Sequence, residues 1–179
     1  EIEEDEATGG DRGVGDVEFA LGYALIEEGS GSPQLTAGLE IIAPTGDEDA
    51  GLGAGAWGWG PFLALSKQVV PKWYLHANLA LQMTNDAEEG GEKKDERELE
   101  YAIAAVYQAT DAVELMLELV GAYEREEDDE GTEHSHPLLL APGIKYAFDN
   151  ELEVGAALAI GLNDDSFDMG GLVKLQYEF

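Results

Sequence analysis

The chain has 179 residues, 39 of them acidic and 9 basic, a formal charge of −30, and no cysteine. That charge repels phosphate backbones and excludes a nucleic-acid binder; the missing cysteines exclude disulfides, thiolate catalysis, cysteine-ligated zinc and iron–sulfur clusters. A hydrophobic content of 44% argues against global disorder, and no apolar run reaches the roughly 18 residues of a transmembrane helix.

Taken in chain order, the sequence opens on Glu1-Ile2-Glu3-Glu4-Asp5-Glu6, which has neither the basic start nor the apolar stretch of a secretory signal. Strict alternation begins at Val17, Phe19, Leu21, Tyr23 and Leu25. A period of two marks a strand with one apolar face. It returns at Leu35–Ile41 positions 35, 37, 39 and 41, then at Trp57, Trp59, Pro61, Leu63 and Leu65. The clearest run is Trp73, Leu75, Ala77, Leu79, Leu81 and Met83. Further runs start at Leu99, Val113, Leu138 and Leu152, and the last is Val173, Leu175, Tyr177 and Phe179. The reading is nine strands in one domain over residues 1–179, with 1–13 as an acidic external segment and 14–179 as strands and loops. Short connections at 28–32, 70–72, 110–112 and 149–151 alternate with long or acidic ones at 45–54, 84–98, 124–136 and 163–170. Short turns at one end and long loops at the other predict an all-β, antiparallel up-and-down transmembrane β-barrel.

The face opposite the large apolar residues is mostly Gly and Ala, including Gly22, Gly38, Gly60, Ala104, Ala141 and Ala159. Small residues contribute little to a solvent face, but they fit the concave inside of a barrel, where they leave room for neighbours or water. The large apolar face is therefore expected to meet lipid. Trp57, Tyr101 and Tyr123 near the long-loop ends, and Trp73, Tyr107, Phe148, Tyr177 and Phe179 near the short-turn ends, are placed as interfacial girdles. If Phe179 ends on the periplasmic side, the first strand also runs inward. Single-chain bacterial barrels have even strand numbers, so nine strands predict at least one more upstream.

The stretch Leu172-Val173-Lys174-Leu175-Gln176-Tyr177-Glu178-Phe179 resembles the terminal signature of bacterial outer-membrane barrels. The resemblance implies that Tyr177 and Phe179 are read by the barrel-assembly machinery. Ala43-Pro44-Thr45-Gly46-Asp47, followed by Gly51-Leu52-Gly53-Ala54-Gly55, is similar to an external hairpin of the transporter family named for the phenol meta-degradation pathway. Gly60-Pro61-Phe62, Leu65-Ser66-Lys67, Leu75-His76-Ala77-Asn78-Leu79 and Gly161-Leu162-Asn163-Asp164-Asp165-Ser166 are similar in order and spacing. Membership would imply an outer-membrane channel or transporter and carries no catalytic residues.

The second face offers lumen and selectivity candidates: Glu18, Glu40, His76, Asn78, Glu100, Glu114, Glu118, Glu153, and the cations Lys145 and Lys174. Carboxylates around a bore favour cations; alternatively they pair with bases elsewhere. Five acidic loops carry 26 of the 39 acids, either as a solvated rim or as a cation-concentrating funnel. Asp164, Asp165 and Asp168 are the candidate Ca²⁺ ligands, although the Gly and distant Glu of an EF-hand loop are missing. His134 and His136 could hold a transition metal, but no third ligand is evident. No nucleophile or phosphate-loop motif is present, so an enzyme is not expected, and no cofactor is called for beyond that Ca²⁺. The expected function is passive passage of small solutes across a bacterial outer membrane, weakly preferring cations. The alternative is a closed structural barrel, acting as a membrane anchor or as partner of an envelope protein.

Overall fold

The computed structural model describes residues 13–50, 52–89, 92–127, 131–148 and 151–177. Phe179 and residues 1–12 of the acidic segment lie outside the described residues. Ten strands follow in order: β1 (Val17–Ile26), β2 (Gln34–Ala43), β3 (Gly58–Val70), β4 (Trp73–Glu89), β5 (Glu92–Gln108), β6 (Val113–Glu127), β7 (Thr132–Ser135), β8 (Leu138–Ala147), β9 (Leu152–Gly161) and β10 (Met169–Tyr177). All pairings are antiparallel between chain neighbours, except that β6 takes both β7 and β8 along one edge. The sheet is thus nine strands wide and purely up-and-down, as the alternation predicts. Among the described residues β1 pairs only with β2 and β10 only with β9, so the sheet is open between them.

Apart from shifts near strand ends at Ala24/Ile26, Gln68/Val70 and Thr84/Ala87, the register carries the apolar alternation across the sheet. One row runs Tyr23, Ala37, Leu63, Leu79, Tyr101. Another runs Ile103, Leu119, Leu140, Ile160, Met169. A one-residue shift anywhere would turn a whole strand over, so this agreement fixes two faces. Tight turns hold the short-connection end. Pro71 sets its own φ and Lys72 takes the left-handed region at φ 70, the geometry of a type II turn; the Gln108 N–H then donates to Lys72 O at 2.8 Å.

Two regions differ from the sequence reading. Residues 84–98 are expected as a long loop, yet β4 and β5 continue through most of it, with Glu88 opposite Lys93 and Ala87 opposite Lys94. Both faces are polar there, so no apolar period marks the strands. A register shift between Thr84 and Ala87, with Asp86 at φ 54, bends this extension. Likewise residues 124–136 are expected as a loop, but β6 reaches Glu127 and pairs with β7. Pro137 has no N–H to donate and separates β7 from β8; the Ala122 N–H still donates to Pro137 O at 3.1 Å. The count is therefore ten strands rather than nine.

Burial is inverted relative to a water-soluble sandwich. The buried apolar side chains are Ile42, Ala43, Ala87, Val106, Ala122, Ala141 and Ala159, and among the described residues no large side chain is fully buried. Leu79 is 44% exposed, Ile103 59% and Val173 78%. Exposed apolar residues scattered singly are ordinary, but a contiguous band is not.

Candidate functional site

Side chains of the second face meet across a cavity of about 720 Å³. Its wall takes residues from β2 (Thr36) through β4 (His76, Asn78) and β6 (Glu118) to β10 (Lys174). Since strands near both edges of the sheet line one space, the sheet curls and this face is concave. His76, Asn78, Glu114, Glu118, Lys145, Glu153 and Lys174 all stand on that wall, as the sequence places them. Glu18, Glu40 and Glu100 face the same way but lie toward the long-loop end: Glu18 is opposite Ile42, Glu40 opposite Gly60, and Glu100 opposite Ala80 and Ala122.

The short-turn end of the cavity carries Lys145 and Lys174. Gln108, Glu114, Lys145, Gly155 and Lys174 form one continuous row across β5, β6, β8, β9 and β10. Lys145 Nζ lies 2.9 Å from Glu114 Oε2 and 3.2 Å from Glu153 Oε2. Two carboxylates thus share one half-buried ammonium, leaving this trio at −1. Small residues opposite it keep the space open: Gly155 is followed by Ala157 and Ala159 on the same face.

Near β1–β3 the small residues serve a different end. The Phe62 ring occupies the space that a Cβ on Gly38 would need and also touches the Gly22 position. A Cβ on Gly60 would meet the Leu81 carbonyl. Here glycine admits a ring and a close strand approach rather than open space.

The long-loop end is acidic. Glu98 stands opposite Gln82 and Glu124, and Glu96 opposite Thr84 and Glu126. Lys94 Nζ bridges Glu96 at 3.2 Å and Glu126 at 3.1 Å. Ser135 Oγ donates to Glu124. Glu98, Glu124 and Lys94 are missing from the sequence-derived set because their strand segments read as loop. Their even numbers, in phase with Glu100 and Glu118, were the available signal. Glu98 lies just beyond the apolar band. Burial foremost, then repulsion from Glu100 and Glu124, a hydrogen bond with Glu100 and repulsion from Glu96, push its carboxyl up to about 7 from 4.5. A raised carboxyl pKa stabilises the folded state fully below 4.5, and that contribution is lost as pH rises through about 7. Half-exposure reduces the effect to about 1 kcal/mol. Urea unfolding in micelles is expected to give a higher midpoint at pH 5 than at pH 8, with Glu98→Gln raising the pH 8 value and flattening the difference.

The loop between β2 and β3 is organised by one residue the sequence reading passed over. Asp16 Oδ1 accepts from the N–H of Thr45 (2.9 Å) and Gly46 (2.8 Å), and Oδ2 accepts from that of Ala54 (2.9 Å). A Cβ on Gly53 would strike this carboxylate, and one on Gly46 the Leu52 carbonyl.

The loop after β9 spends its oxygens on backbone. Asp165 Oδ2 accepts from the His136 N–H at 2.9 Å, Asn163 Nδ2 donates to His136 O, and the Leu138 N–H donates to Ser166 Oγ at 2.8 Å. Asp164, Asp165 and Asp168 are exposed, and among the described residues no three His or acidic side chains group so as to hold a metal ion. His134 and His136 instead flank Tyr123, with ring centroids at 5.7 and 4.5 Å. Aromatic rings pair at the short-turn end, Trp73 with Tyr107 at 4.9 Å and Tyr146 with Phe148 at 4.7 Å. Tyr177 closes β10 as its last described residue.

The profile of the family described as "Putative MetA-pathway of phenol degradation" matches residues 2–179. The chain belongs to that family. A comparison with curated proteins finds no match.

Proposed function

We propose that this member of the phenol-degradation family is an outer-membrane β-barrel channel passing small solutes passively, with a weak preference for cations. The carrying observation is the pair of faces: large apolar side chains exposed on the convex side, small and charged ones around the cavity. A convex apolar band facing lipid satisfies burial without a protein core, and the antiparallel sheet leaves its backbone paired inside the bilayer once the β1 and β10 edges are bridged. In this reading the chain inserts through the barrel-assembly machinery and performs no catalysis. Solutes would meet the Glu40, Glu98 and Glu124 end first and the Lys145 trio last.

The test is planar-bilayer conductance of the intact protein under a KCl gradient. Steady channels with a cation-selective reversal potential support the reading. Lys145→Gln leaves Glu114 and Glu153 unneutralised, and is expected to raise the K⁺/Cl⁻ permeability ratio about twofold. Because the family name refers to phenol degradation, phenol is the first uncharged solute to try in liposome-swelling assays. A second reading, a closed barrel serving as an anchor or envelope-complex subunit, draws on the Phe62 ring packed over Gly22 and Gly38; a folded, heat-modifiable protein without conductance would favour it.

A further inference from the structure

Beyond the apolar band, β5 and β6 carry charge on both faces. Glu96, Glu98, Glu124 and Glu126 share the concave side with Lys94, while Arg97 and Arg125 share the convex side with Asp95 and Glu127, which stand opposite each other. Arg97 stands directly opposite Arg125, and Arg125 directly opposite His134. Two of the chain's three arginines are thus neighbours in a protein of charge −30. Like charges directly opposed in an antiparallel pair destabilise it, and one carboxylate stands beside each guanidinium. Asp95 Oδ2 is 4.0 Å from Arg97, Glu127 Oε2 is 2.6 Å from Arg125, and Asn85 Oδ1 accepts from Arg97 at 3.2 Å. Lys93, paired with Asp86 at 4.0 Å, stands further along the hairpin. The two guanidinium side chains remain 41% and 45% exposed, and each has five N–H donors, more than these contacts use.

The row next nearer the apolar band on this face is Leu99 opposite Tyr123, about 7 Å away by strand rise. Tyr123 OH is 3.3 Å from His134 Nδ1, and His136 lies against its ring. An aromatic at the edge of the hydrocarbon, with a cationic row one step outside it, matches the depth of lipid phosphates.

We propose that Arg97, Arg125 and His134 bind the phosphate of an anionic glycolipid headgroup in the leaflet at the long-loop end. The guanidinium forks hold phosphate oxygens, and the Tyr123–His136 pair covers the adjoining apolar or sugar part. This rests on the reading that the convex face meets lipid.

The experiment is native mass spectrometry of the full chain in neutral detergent, with diphosphorylated lipid A as probe. Wild type and Lys72→Gln, which changes a turn at the other end, are expected to retain it equally. Arg97→Gln/Arg125→Gln is expected to retain it about tenfold more weakly, and Arg97→Lys/Arg125→Lys to fall between, since bidentate contacts are lost but charge is kept. Inorganic phosphate in excess is expected to compete poorly. Equal retention by the Gln double variant, or full displacement by inorganic phosphate, overturns the proposal. Heat-modifiability of each variant checks folding, and the Lys pair keeps the test open should the Gln pair fail to insert. Thiol labelling at position 79 separates the two readings: lipid-protected label with unchanged lipid A retention removes this proposal alone, and water-exposed label removes both.

Discussion

Replacing Leu79 by Arg is expected to destabilise the protein in bilayers by about 2–4 kcal/mol, the cost of a basic side chain at mid-depth on a lipid-facing strand. Leu79 sits between Leu63 and Tyr101 on the convex face and is 44% exposed, so no protein cavity receives the guanidinium. Ala80, its chain neighbour, points the other way. It stands opposite Phe62 and Glu100, so Ala80→Arg places a cation beside a carboxylate on the concave face. That variant is expected to fold and to lower cation preference. Urea unfolding in short-chain lipid bilayers, followed by gel mobility, measures both. Normal folding of Leu79→Arg together with failure of Ala80→Arg would mean that the faces are reversed.

The second large effect is expected at Asp16. Asp16→Ala leaves the N–H groups of Thr45, Gly46 and Ala54 without their acceptor. Losing three charge-assisted bonds in a partly solvated loop costs about 2–3 kcal/mol of local stability. Asp16→Asn keeps an oxygen for two of the three donors and is expected to fall between. Limited proteolysis of the loop between β2 and β3 reads this directly, with Ala cut fastest, Asn next and wild type slowest. Conductance noise is expected to rise in the same order. Equal proteolysis of Ala and wild type would mean that the loop holds its shape without the carboxylate.

The parts of the fold that could be read from sequence are those where the two faces differ chemically. Leu75, Leu79 and Leu81 alternate with His76, Asn78 and Ala80, and the observed register keeps every one of them on its expected side. The hairpin extension of β4 and β5 could not be read that way. Lys93, Asp95 and Arg97 alternate with Lys94, Glu96 and Glu98, so both faces are charged and apolar periodicity vanishes. Which charges face one another is visible only once Arg97 is known to stand opposite Arg125 and Asp95 opposite Glu127. β7 was hidden similarly, by His and Glu beside Pro137. The cavity wall followed from parity alone, which is why His76, Glu118 and Lys145 were found. Asp16 was not, because its three partners lie 29 to 38 residues away and nothing local marks it. In the Asp164, Asp165 and Asp168 run, Asp165 is tied to the His136 backbone, a use that oxygen-rich spacing serves as well as it serves a cation.

The central claim is that the odd-numbered face of β4 meets lipid and the even-numbered face meets water. The native chain has no cysteine, so single-cysteine variants at positions 73 through 83 report each position cleanly. After reconstitution, a membrane-impermeant charged maleimide is expected to label 76, 78, 80 and 82. Fluorophores attached in detergent at 75, 77, 79 and 81 are expected to be quenched by brominated lipid. Uniform labelling along the strand, or the opposite alternation, would contradict the account.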